Sequence, residues 1–179
     1  MRGLLVAWLL FAVAPAWAET LQGVVIVVID GDTVLFKPDH YSPSSRAFLK
    51  VRLAGIDAPE AAQPHGEVAT RALKEMALKQ RATVEIVATD HYGRKLGRLS
   101  VGTLAVNAEL VRRGHAWSYG SPRASARRGP VPVRTAPRAA GDALHTLQNE
   151  AKHARRGLWR EATPVPPWIW RRAQATPAY

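Results

Sequence analysis

From Gly23 the chain runs through an apolar, β-branched stretch, Gly-Val-Val-Ile-Val-Val-Ile, that stops at Asp30-Gly31-Asp32. Asp-Gly is a turn signal, and strand character resumes over 33–37, so residues 23–37 predict a β-hairpin. Residues 47–54 alternate, with Phe48, Lys50 and Arg52 set against Leu49, Val51 and Leu53. That is the period of a strand with one wet face. A loop marked by Pro59 and Pro64 follows. Residues 66–79 then predict a helix with Val68, Ala72, Leu73 and Met76 on one side. Residues 83–88 alternate again, Tyr92-Gly93 turns the chain, and 96–101 predict a fifth strand. Asn107 is placed to cap a short helix over 108–113 that Gly114 ends. A last helix is predicted over 143–156, with Leu144, Leu147, Ala151 and Ala154 on one face. Gly157 stops it, and Leu158-Trp159 is expected to pack back on the body.

Five short strands, mostly antiparallel, with a helix after the third and two more near the end, suit a small closed barrel. The predicted class is α+β with a mainly β core: a five-stranded OB-type barrel with about three helices. Residues 1–18 stand apart from it. They combine Arg2, an apolar run over 4–13 and Ala16-Trp17-Ala18, the pattern of a signal peptide cleaved near Ala18. The apolar run is too short for a membrane span. The expected location is secreted or periplasmic. Residues 19–160 form the predicted domain, with a Pro- and Arg-rich loop over 120–141 before the last helix. A Pro- and Trp-rich tail covers 161–179.

Composition narrows the classes. Cysteine is absent, which excludes a disulfide framework, a thiolate metal site and a catalytic cysteine. Hydrophobic residues make up 47% and charged residues 22%, an ordinary globular balance. The 25 Lys+Arg exceed the 14 Asp+Glu for a net charge of +11, which points to an anionic partner, nucleic acid or a membrane surface. The excess is one-sided: residues 1–90 hold 9 basic and 10 acidic residues, and residues 91–179 hold 16 and 4. The six histidines show no paired metal spacing and are expected at the surface, His91 apart. Trp117 and Trp159 are expected in the core.

The candidate chemistry lies in the acidic half. Asp30 and Asp32 share one turn, and Asp57 and Glu60 share another. Carboxylates on neighbouring turns suit a hard divalent cation. Asp-Gly-Asp is equally a plain hairpin signal, and spacing alone leaves both readings open. Arg52 precedes Asp57 by five residues, and Arg94 follows the Tyr-Gly turn. Guanidinium groups clamp phosphate bidentately. A metal, a carboxylate base and two arginines are what phosphodiester hydrolysis requires, because charge builds on the phosphorane oxygens.

The segments Val28-Ile-Asp-Gly-Asp-Thr-Val34, Val51-Arg-Leu-Ala-Gly-Ile-Asp-Ala-Pro-Glu60 and Asp90-His-Tyr-Gly-Arg94 resemble the thermonuclease (staphylococcal nuclease-like) family. So do Asn107-Ala-Glu-Leu-Val-Arg-Arg-Gly-His-Ala-Trp117 and Ala154-Arg-Arg-Gly-Leu-Trp159, in family order over about residues 23–160. Pro166-Pro-Trp-x-Trp-Arg171 resembles the tail of many secreted bacterial members. The resemblance implies an OB-type barrel that hydrolyses DNA and RNA with one Ca²⁺, leaving 5′-hydroxyl and 3′-phosphate ends. It implies Asp32 and Asp57 as metal ligands, with the backbone carbonyl of Ala58, and Asp30 supporting that loop. It implies Glu60 as general base toward a metal-activated water, and Arg52 and Arg94 as the groups that bind the scissile phosphate and stabilise the transition state. Tyr92, His91 and Tyr119 fall at substrate-contacting positions. His91 stands where the family often has Lys, and Ala58 where the best-known member has Thr, so the nucleotide pocket departs from the pattern.

The expected activity is that of a metal-dependent, calcium-type endonuclease acting as a monomer, with no stable protein partner. The alternative is a non-catalytic OB-fold protein that binds single-stranded nucleic acid through charge and stacking. The intact set of Asp32, Asp57, Glu60, Arg52 and Arg94 favours the enzyme.

Overall fold

The structure, a computed structural model, describes residues 19–119 and 138–175. The predicted signal peptide and residues 120–137 of the predicted basic loop lie outside the described residues. Five strands close the barrel: β1 (Glu19–Val28), β2 (Thr33–Pro38), β3 (Leu49–Leu53), β5 (Arg81–Thr89) and β6 (Lys95–Val101). β1 pairs antiparallel with both β2 and β5, β2 with β3, and β5 with β6. A parallel pairing of β3 with β6, Arg52 opposite Leu96, closes the ring. The short strands β4 (Ile56–Asp57) and β8 (Trp117–Ser118) form a separate antiparallel pair, and β7 (Leu104–Ala105) pairs antiparallel with the end of β6. The predicted α+β barrel is thus present, with four α-helices among the described residues where about three were expected.

The β-branched run in β1 does not itself say which side chains face inward. A bulge decides: Val25 faces Phe36 and Val27 faces Leu35, so Ile26 is the extra residue. The slip moves the buried phase from Gly23 and Val25 to Val28, leaving Val27 and Ile29 exposed. Inward residues of the five strands, among them Val25, Val34, Phe36, Val51, Leu53, Val84 and Leu99, are almost fully buried.

α1 (Gly66–Ala77) closes one end of the barrel through Ala69, Ala72, Leu73, Met76 and Ala77. Val68, expected on that face, is 41% exposed; the buried stripe runs one residue further along, through Ala69. α2 (Val106–Arg112) packs Val106, Leu110 and Val111 into the same core. Asn107 does not cap it. It lies inside the helix, where Oδ1 accepts the Leu99 amide at 3.0 Å and Nδ2 donates to the Ala54 and Gly97 carbonyls at 2.9 and 3.2 Å. Asn107 therefore satisfies backbone groups where the parallel β3–β6 pairing ends.

α3 (Arg138–His153) starts inside the segment expected to be loop and ends three residues short of the expected stop. Its Ala151 joins Leu158, Trp159 and Trp117 in a small second core, as expected for the two tryptophans, while Ala154 is exposed. The Gly157–Arg160 turn of 3₁₀ helix returns to the body through the Leu158 amide, which donates to the Gly114 carbonyl at 2.9 Å. The Pro/Trp-rich tail contains a fourth helix, α4 (Pro167–Ala175). Proline in a first helical turn is compatible with helix because its missing N–H has no partner there. Among the described residues no helix is long and apolar enough to cross a membrane.

Candidate active site

The β1–β2 turn reconciles turn chemistry with site chemistry. Asp30 Oδ1 accepts the Asp32 amide at 3.0 Å, an Asx arrangement that tightens the turn. Asp30 thus does the turn's work, and the Asp32 carboxylate enters the protein, 3% exposed. Asp32 Oδ1 accepts the Thr33 hydroxyl at 3.0 Å and Arg52 Nη1 at 2.9 Å, while Oδ2 accepts the Ala58 amide at 2.9 Å.

Arg52 stands opposite Thr33 in the β2–β3 ladder, which aims it at both acidic turns. Its Nη2 donates to Asp57 Oδ1 at 2.7 Å. Asp57 is fully buried in β4, opposite Trp117 of β8. One guanidinium therefore bridges two buried carboxylates, and the trio keeps an excess negative charge. Burial pushes the Asp32 carboxyl up to about 7, helped by Asp30 and Asp57 and opposed by Arg52 and the Ala58 amide. Burial pulls the Arg52 guanidinium down, but Asp32 and Asp57 win and hold it above its ordinary value.

This donor set fits a hard divalent cation. It is all oxygen, and each carboxylate, with about four acceptor positions, keeps one unused. Among the described residues no three Asp, Glu or His side chains converge as a ready-made cage. The side-chain ligands thus number two, and carbonyl and solvent oxygens would complete the shell, a coordination that Ca²⁺ accepts.

Glu60 is placed by its backbone. Its amide donates to Gln63 Oε1 at 3.2 Å, and its carbonyl accepts the Gln63 amide at 2.9 Å. Gln63 is 6% exposed and also donates Nε2 to the Val165 carbonyl at 2.5 Å, tying the loop to the tail. The Glu60 carboxylate itself receives Arg171 Nη1 from α4 at 2.5 Å. Arg171 also forks onto Asp57, through Nη2 to Oδ2 at 2.8 Å and Nη1 to Oδ1 at 3.2 Å.

Arg94 is held differently. Asp90 Oδ2 accepts its Nε at 2.7 Å, and Asp90 Oδ1 accepts the Tyr92 and Arg94 amides, both at 2.9 Å. Burial pushes Asp90 up, but these bonds outweigh it and leave the carboxyl below its usual range. Arg94 stands just before β6, two residues ahead of Leu96, the ladder partner of Arg52. The Arg94 guanidinium lies 5.4 Å from the Tyr92 ring centroid, and His91 packs on Tyr92 at 3.8 Å. Tyr92 is 73% exposed, an open aromatic surface beside a guanidinium. Tyr119 donates its amide to the Gly55 carbonyl at 2.8 Å, and its ring meets Trp168 of α4 at 5.7 Å.

The fold thus gathers Asp32, Arg52, Asp57, Ala58 and Glu60, and sets Arg94, Tyr92 and His91 at the neighbouring turn. Two residues at the site were missed. Arg171 stands 111 residues from Glu60, in a tail motif that was visible but had no stated partner. Gln63 carries no signal, since a glutamine in a polar loop reads as solvated. The histidine expectation also fails at one place. His65 Nε2 and His115 Nδ1 are 3.0 Å apart, and both rings are half-buried.

Comparison with known proteins agrees with this geometry. The family described as Staphylococcal nuclease homologue matches residues 50–161. An uncharacterized endonuclease of Escherichia coli O157:H7 is 37% identical over 158 residues, covering 88% of this chain and 89% of that protein. Protein ParB of Escherichia coli is 38% identical over 172 residues, 91% of this chain and 85% of its own. A micrococcal nuclease of Shigella flexneri is 30% identical over 182 residues, 97% of this chain and 92% of its own. With relatives matched over nearly their whole length and the fold and carboxylate–arginine cluster in place, the chain belongs to the staphylococcal nuclease family.

Proposed function

We propose that the protein is a calcium-dependent endonuclease that hydrolyses phosphodiester bonds of DNA and RNA. The observation that carries this reading is the bridging of two buried carboxylates, Asp32 and Asp57, by Arg52, with Glu60 on the adjoining loop. Asp32, Asp57 and the Ala58 carbonyl would hold the cation, which supplies Lewis-acid stabilisation of charge on the phosphate.

The chain's own residues do the rest. Arg52 fixes both carboxylates and turns its cationic face to the phosphate that approaches them. Arg94, oriented by Asp90, brings a second guanidinium to the phosphate. Two cations fixed in advance stabilise the added charge of the pentacoordinate state without reorganisation. Glu60, partly solvent-exposed, accepts a proton from the attacking water. Tyr92 and His91 offer a stacking surface for a base or sugar next to Arg94. The basic half of the chain draws the polyanion in, which makes the affinity salt-dependent. Cleavage near Ala18 would release the protein to act outside the cytoplasm.

The test is hydrolysis of single- and double-stranded DNA and RNA with Ca²⁺, with Mg²⁺ and with chelator. Cleavage in Ca²⁺ that chelator abolishes is the expected result. Binding without cleavage in every condition would leave a non-catalytic single-strand binder in its place. N-terminal sequencing of the exported protein checks the cleavage point.

A further inference from the structure

The tail helix α4 places a cation on the carboxylates that the proposed chemistry needs. Asp57 accepts three N–H groups, one from Arg52 and two from Arg171, and Glu60 Oε1 accepts a fourth from Arg171. This is not a lone surface side chain reaching over. Pro167 is buried at the start of α4, the Trp168 ring meets Trp117 at 5.6 Å and Tyr119 at 5.7 Å, and the Val165 carbonyl just upstream holds Gln63. Four contacts from one segment therefore deliver the guanidinium to the same spot.

A divalent cation and this guanidinium compete for the same oxygens. A carboxylate has about four acceptor positions, and on Asp57 the two arginines take three. Two positive groups on one carboxylate also repel. Glu60, while it accepts Arg171, has its proton-accepting oxygen covered.

We propose that Arg171 is a tethered competitor of the divalent cation: α4 latches the site by filling Asp57 and Glu60, and the cation displaces the latch. This rests on the cation-dependent reading above. Displacement frees Glu60 and uncovers the Tyr119 ring in one event, because Arg171 and Trp168 sit on the same helix. Loading of the cation and opening of an aromatic nucleotide-contacting surface are thereby coupled.

The test uses the full mature chain and Ca²⁺ alone, with no nucleic acid. Calorimetric titration of wild type, Arg171→Gln and Trp168→Ala reads the affinity, and amide exchange over 167–175 reads the helix. Removing the guanidinium should tighten Ca²⁺ binding about tenfold or more. Trp168→Ala, which loosens α4 without touching a carboxylate, should shift affinity in the same direction. In wild type, Ca²⁺ should speed exchange in α4, whereas in Arg171→Gln that exchange is fast from the start. Equal Ca²⁺ affinities in all three proteins, or α4 protection unmoved by saturating Ca²⁺, overturn the latch alone. Absence of Ca²⁺ binding in all three overturns the cation-dependent reading, and the latch falls with it.

Discussion

Gly66 opens α1 against the backbone of Glu60, so closely that a Cβ on Gly66 would overlap the Glu60 carbonyl oxygen. The contact couples helix packing to chemistry. α1 is pinned to the barrel by Ala69, Leu73 and Ala77, so it cannot retreat, and any added atom must push the Glu60 loop instead.

Gly66→Ala is therefore expected to act on turnover more than on fold. With Glu60 as the proposed base, a displacement of about 1 Å costs on the order of 10²-fold in rate. The overpacking itself should cost about 1–3 kcal/mol. Steady-state kinetics beside a urea midpoint separates the two, and a wild-type kcat in a folded variant would show that the Glu60 backbone is not what sets its position.

Arg52 carries a prediction with a pH signature. Arg52→Gln leaves Asp32 and Asp57 buried without their shared counter-charge, a loss on the order of 3 kcal/mol. Asp32 titrates at about 7 in the folded protein against 3.8 when unperturbed, so in cation-free protein it is protonated at pH 5 and ionised at pH 8. A raised acid pKa means the native state binds the proton more tightly, and stability falls as pH rises from about 4 to 7. The guanidinium is needed most where Asp32 is charged. Denaturation with chelator present should show a large Arg52→Gln deficit at pH 8 that shrinks toward pH 5. A deficit independent of pH would mean that the loss is packing, not charge.

The barrel was legible from alternation because period-2 burial repeats in β2, β3, β5 and β6. β1 shows the limit. A run of six β-branched residues has no polar phase, so the bulge at Ile26 leaves no trace in it. The carboxylates and arginines were legible as a motif, yet their roles in the turn were not: only coordinates show Asp30 bonding the backbone and Asp32 turned inward. Asn107 was misread for a related reason. Asparagine before a helical run is a sound cap signal, but its side chain serves three backbone groups far along the chain, which local pattern does not encode. Arg171 and Gln63 belong to the same class, since both act across more than 100 residues of sequence.

Asn107→Ala should expose that long-range role. It strands the Leu99 amide and the Ala54 carbonyl at the β3–β6 junction, while the Gly97 carbonyl keeps the Ala54 amide, and each unsatisfied buried group costs about 1–3 kcal/mol. The expected loss is about 3 kcal/mol, with faster amide exchange at Leu99 than elsewhere in β6. Asp, which keeps the acceptor but not the donors, should restore protection at Leu99 without restoring the full stability.

The His65–His115 pair makes the fold sensitive to acid from the opposite direction to Asp32. His65 holds the left-handed position just before α1, with φ of 68°, and His115 follows α2, so their 3.0 Å hydrogen bond ties two helix ends together. One ring must be neutral to accept that bond. Burial pushes His115 down to about 4, with His65 and Arg113 adding to it, and burial also lowers His65 against the pull of Glu161. Between pH 4 and 6.5 the unfolded chain binds protons that the native pair refuses, so stability rises with pH there and is lost on acidification. The rings are only half-buried, and after allowance for solvent screening the effect is about 1–2 kcal/mol. Asp32 slopes the other way over the same range, so the two partly cancel in wild type. His115→Gln removes one of them. The difference in urea stability between wild type and His115→Gln should therefore grow in favour of wild type as pH rises from 4.5 to 7. A difference that stays flat across that range would assign the histidine contact to packing alone.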